Sequence, residues 1–146
     1  MKTKLLNRGP ERSYAVVLAT GEEPIECLTR FARDEKLDCA RFTAIGAFSD
    51  AVLAFFDVHT REYQHLPIEQ QTEVLSIVGD VALGPDGKPQ LHAHAVLGRR
   101  DGSTFGGHLI RAHVRPTLEV MLVEAPSYLR RRIDATTGLA LIDLSS

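Results

Sequence analysis

The chain has 146 residues, of which 44% are hydrophobic and 25% charged, with a net charge of -2 at neutral pH. That length and composition describe one globular domain with a single core and no room for a long disordered segment. The charge excludes a general electrostatic attraction to phosphate, so nucleic-acid binding would need a local basic face or a separate basic arm.

The N-terminal stretch MKTKLLNRGPERSY carries only Leu5-Leu6 as an apolar run. This is too short for a signal-peptide core or a membrane span, and a cytoplasmic protein with no membrane partner is expected. Ser13 to Ala19 (SYAVVLA) is rich in β-branched and apolar residues and stops at Thr20-Gly21, which predicts a strand. A helix should follow at once. Thr20 and Glu23 have capping-box spacing, Pro24 suits a first turn, and Ile25, Leu28, Phe31 and Ala32 make one apolar stripe. The two cysteines, Cys27 and Cys39, have neither zinc-knuckle nor CxxC spacing and are read as buried thiols.

From Cys39 the hydrophobic period changes to two. CARFTAIGAF, AVLAFFDV, REYQHLP and QTEVLSIVGDVAL read as strands separated by turns at Ser49-Asp50, His59-Thr60 and Gly84-Pro85-Asp86-Gly87. Further on, TLEVMLV is a strand, SYLRRRI a short helix, and LALIDL a terminal strand returning to the sheet. The predicted class is α+β: a single domain over residues 1–146, with a mostly antiparallel mixed sheet and one principal helix.

Between these elements lies LHAHAVLGRRDGSTFGGHL, which holds His92, His94 and His108. Arg100-Asp101-Gly102 fits a three-residue hairpin loop ending in a left-handed glycine. If Arg99 faces Ser103, His94 lies directly opposite His108, with His92 two residues along on the same face. The other face then holds Leu91, Ala93, Ala95 and Leu97 against Phe105, Gly107 and Leu109, a good core surface. A two-residue Asp-Gly turn would slip the register by one and bury His108, which this apolar pattern opposes. By parity His113 points away from the three unless a bulge intervenes at Gly106-Gly107.

Three neutral imidazoles on neighbouring strands can share one divalent ion and leave a fourth position open for water, a carboxylate or a small anion. Zinc is the first expectation, and nickel, copper or iron also accept imidazole. The alternative is three histidines on a solvated strand face with no ligand. The cupin pattern does not apply, because Gly98 and Arg99 stand where its glutamate would follow the second histidine. Glu119, on the polar face of its strand, is read as a surface carboxylate, with a fourth ligand, a partner to the ligands or a general base as the other roles considered. Arg130-Arg131-Arg132 and Arg99-Arg100 are read as solvated charge rather than as contacts for an anion or a phosphate backbone.

The order TEVLSIVGDVAL, GPDGKPQLHAHAVLGRRDGSTFGGHL, PTLEVMLVE resembles the PPC ("plants and prokaryotes conserved") domain, also found in plant AT-hook nuclear proteins. The likeness extends upstream through GEEPIECLTRFARDEKLDCARFTAIGAFSDAVLAFFD and so covers nearly the whole chain. It implies a mixed sheet with one principal helix, a homotrimer, a description as DNA-binding, and a metal held by His92, His94 and His108. The AT-hook core Arg-Gly-Arg-Pro is missing here; its nearest fragments are Arg8-Gly9-Pro10 and Arg115-Pro116. Three function classes follow: a DNA-associated regulatory module without an AT-hook, a metal-dependent enzyme on a small molecule with Glu119 as base, and a non-catalytic metal-binding assembly module. No nucleophile triad, phosphate loop or cofactor fingerprint accompanies the histidines.

Overall fold

A computed structural model describes residues 1–7, 9, 11–125 and 129–144. The elements run β1 (Lys2–Asn7), β2 (Ser13–Ala19), α1 (Pro24–Asp34), β3 (Ala40–Asp57), β4 (Glu62–Ile68), β5 (Thr72–Leu83), β6 (Pro89–Gly98), β7 (Thr104–Glu124), β8 (Arg130–Ile133) and β9 (Ala140–Asp143). Among the described residues all strands join one mixed sheet, antiparallel except for a single bridge between Leu83 of β5 and Arg130 of β8. Within it β3 pairs β5, β5 pairs β6, β6 pairs β7 and β7 pairs β3, so these four strands close on themselves. The inside of that ring is apolar. Phe42, Ala44, Ile77, Ala93, Leu109 and Leu118 are buried there, and α1 packs over them with Cys27, Leu28, Phe31 and Ala32. Both thiols are buried and free, and burial pushes both thiol pKa values up.

Four expectations are corrected. The helix begins at Pro24, and Glu23 rather than Thr20 caps it: the Glu23 carboxylate accepts from Glu26 N at 2.6 Å. Proline at the first position lacks an N–H to be capped, so the capping oxygen serves the amide two residues on. Thr20 instead donates its hydroxyl to Pro116 O at 3.1 Å.

Ser49-Asp50 is not a turn, because β3 runs unbroken from Ala40 to Asp57. Its polar pair is satisfied within the sheet: Ser49 Oγ donates to Asp50 Oδ2 at 2.8 Å, and Asp50 stands opposite His113. Likewise TLEVMLV is only the far half of β7, which continues from the histidine hairpin. Register shifts against β3 let this long strand bend without ending.

The described part of SYLRRRI is also not helical. Ser127 and Tyr128 lie outside the described residues, and Arg130–Ile133 is a strand rather than a helix. Only Arg131 of the run turns inward, and β9 completes the hairpin. The sequence also gave no notice of β1, which pairs with β2.

Candidate metal centre

Hairpin β6–β7 has the register that its turn chemistry predicts. Arg99 N donates to Ser103 O at 2.8 Å and Gly102 N to Arg99 O at 3.0 Å, while Gly102 takes φ +83. His94 consequently pairs with His108, Ala95 with Gly107 and Leu97 with Phe105. Ala95 and Leu97 are buried, which leaves the histidines on the outer face.

The three rings converge there. Centroid separations are 5.1 Å for His92–His94, 5.0 Å for His92–His108 and 5.5 Å for His94–His108. One nitrogen from each lies within 4.8 Å of the others. Tetrahedral nitrogen ligands at about 2.0–2.1 Å from one ion are about 3.3 Å apart, so ring rotations closing about 1.5 Å bring all three onto it. Among the described residues His108 Nδ1 is buried with no hydrogen-bond partner, a polar atom that a metal would satisfy.

The surroundings of His92 and His108 favour the neutral imidazole, the form that can ligate a metal. Burial, with the nearby His92, His94 and Arg131 adding to it, lowers the His108 pKa to about 4. Burial and then Arg131 lower that of His92 against the opposing pull of Asp80. Asp80 sits across from His92 on β5, and its Oδ2 is 3.9 Å from His92 Nδ1. That separation is too long for a hydrogen bond, so Asp80 acts on the ring through its charge.

Three residues of the site were not anticipated. Tyr63 of β4 lies with its ring 5.1 Å from that of His108. Asp80 also binds Arg131, and the Arg131 side chain is only 5% exposed, contrary to its reading as solvated charge. Asp80 could have been found from the β5–β6 turn, whose closure at Leu83 and Pro89 sets it opposite His92. Arg131 and Tyr63 come from distant strands with no local signal. Arg130 and Arg132, its neighbours in the run, remain exposed.

The other candidates stand apart. Glu119 lies on the far half of β7, opposite Val17 and Ile45, and its carboxylate is not among the ligating groups that converge. His113 is also outside the cluster, for a reason different from simple parity. Leu109 pairs with Leu53 and Arg111 with Val52, so the strand gains a residue at Ile110 and turns His113 away from the core, where its Nδ1 meets Asp50 Oδ1 at 2.8 Å.

A closed β ring with one packed helix and an outward three-histidine cluster defines the class: a small β-rich scaffold with a candidate metal centre on a hairpin. The Plants and Prokaryotes Conserved domain (PPC, also abbreviated PCC) matches residues 6–126, and the chain belongs to that family. Among solved structures it is similar to a PPC protein of Pyrococcus horikoshii, at 29% identity and TM-score 0.85, with 99% of this chain and 96% of that one covered. It is similar as well to the metal-containing protein AF0104 of Archaeoglobus fulgidus, at 29% identity and TM-score 0.83 over 97% and 96% of the two chains. A third is a protein of Ralstonia eutropha JMP134 described as a candidate DNA-binding protein, at 28% identity and TM-score 0.83 over 90% of each. The chain is also 32% identical over 136 residues to the bifunctional protein GlmU of Synechococcus sp. strain JA-3-3Ab. That match takes in 91% of this chain but spans only 20% of GlmU. Among the described residues no helix is long and apolar enough to cross a membrane.

Proposed function

We propose that the chain is a PPC-domain protein that holds one divalent metal ion, zinc in the first instance, on His92, His94 and His108. The observation that carries this reading is the convergence of three ring nitrogens within 4.8 Å on a hairpin whose register is locked by its turn. The metal-containing A. fulgidus relative supports it. Three protein ligands leave a coordination position open, the pattern of sites that bind or activate a small ligand rather than of closed structural sites. A bound ion would supply Lewis acidity at that position. His92 and His108 would present it to the adjoining cavity, with the Asp80 carboxylate beside the His92 ring.

Elemental analysis of tag-free protein beside a His94→Ala variant tests this. About one zinc per chain is expected in the wild type, and most of it should be lost in a variant that stays folded. Wild-type protein that stays metal-free after dialysis against zinc would overturn the reading.

The outer face carries exposed Val17, Ile45, Val78, Val96 and Met121 on adjoining strands, an apolar surface suited to a homotrimer of this chain. The R. eutropha relative supports a second reading, a DNA-associated regulatory module. With an acidic net charge and no AT-hook, such binding would be weak, of low sequence preference and strongly salt-dependent. Anisotropy of a labelled duplex at low salt tests it, and no binding there would count against it.

A further inference from the structure

His92 and His108 open onto a cavity of about 250 Å³ that is also lined by Tyr63, Leu91, Arg131 and Leu141. Arg131 is the unusual member. Its side chain is 5% exposed; Nη1 donates to Ala140 O at 3.2 Å and Nη2 to Asp80, yet among the described residues the buried Nε has no partner. A buried, unsatisfied guanidinium N–H is costly, and its planar donor fork suits a carboxylate. Asp80 already offsets the charge of Arg131, so a divalent ion on the histidines would leave the cavity with an uncompensated positive charge. The apolar walls supplied by Leu91, Leu139 and Leu141 suit a ligand with an uncharged body. The cavity exceeds the space one water needs many times over, so a small organic ligand has room there.

The geometry points to this cavity as the binding site of a small monocarboxylate, its carboxylate held at Arg131 and its other end facing the metal position. The second anchor rests on the metal reading above; the first does not. Arg131 therefore acts as a ligand-binding residue, and Tyr63 and Leu141 bound the pocket.

The test is an NMR titration that follows the Arg131 Nε–H and the Leu141 amide in zinc-loaded and zinc-free wild type, with propionate and the neutral propionamide as probes. Propionate should shift both resonances saturably, with affinity about tenfold or more lower in the zinc-free protein and in Arg131→Gln, and propionamide should shift neither. The proposal is overturned if propionate moves neither resonance in either form, or if the two probes act alike. Unchanged affinity in a folded Arg131→Gln variant would overturn it as well. Should that variant not fold, the contrast between propionate and propionamide on wild type still decides. A chain that takes up no zinc but keeps the propionate shift would sink the metal reading and leave the carboxylate site standing.

Discussion

His108 couples the site to stability through its proton. Its pKa in the folded chain is about 4, against an ordinary 6.5, because burial disfavours the imidazolium and the neighbouring histidines and Arg131 add to that. As pH falls below 6.5 the unfolded chain takes up this proton first, so the metal-free protein should have its full stability above that pH and lose it progressively toward pH 4. The lowered pKa of His92 acts in the same direction. Denaturant midpoints recorded across this window should fall with pH, and the fall should be shallower for His108→Ala. An unchanged slope in that variant would place the effect in other groups. Zinc, which binds neutral imidazole, should be released over the same acid range.

Hairpin β6–β7 does at the level of the element what no single histidine can do. Its apolar residues Ala95 and Leu97 are buried in the ring, and this forces the alternate residues, the histidines, outward. Gly102 holds the loop at φ +83, and a Cβ there would meet nothing within 4 Å. The cost of Gly102→Ala is therefore backbone strain alone, about 1–2 kcal/mol, read as a lower unfolding midpoint with zinc binding retained. Gly107 differs, because its Cβ would lie 2.8 Å from Ala54 O on the neighbouring strand. Gly107→Ala must push β7 away from β3 beside His108, so we expect a loss of about 1–3 kcal/mol together with weaker zinc binding. Elemental analysis and thermal melts of the two variants separate turn strain from displacement of the strand that carries His108.

At the scale of the molecule, the ring of strands has its core inside, and its outer face carries both the histidines and exposed apolar side chains. Ile45 is 60% and Val78 61% exposed, and Val78 pairs directly with His94. Burying such residues against other copies of the chain would stabilise a trimer at roughly 25 cal/mol per Å² of apolar area removed from water. Ile45→Glu with Val78→Glu places charges on this face and should shift the mass measured by light scattering toward the monomer while the secondary structure is kept. A wild type that is already monomeric would refute the assembly. The same measurement with and without chelator shows whether the metal supports it.

Much was legible along the chain because its signals are local. A left-handed glycine after Arg100-Asp101 and an apolar face of Ala95, Leu97 and Phe105 are enough to align His94 with His108 and to place His92 on their side. The stripe Leu28, Phe31 and Ala32 likewise marks a helix whatever it packs against. Strand ends were less legible, since Ser49-Asp50 has turn chemistry that the sheet satisfies through His113. The inward turn of Arg131 could not be read at all. A run of three arginines reads as solvated until a distant Asp80 and the Ala140 carbonyl are brought to the middle one. The sequence by itself determined the histidine triad and the β-rich class, which depend on period and turn residues a few positions apart. The tertiary structure alone decided the cavity, its buried arginine and the separation of Glu119 from the histidines, because burial and pairing between remote strands leave no periodic trace in either partner.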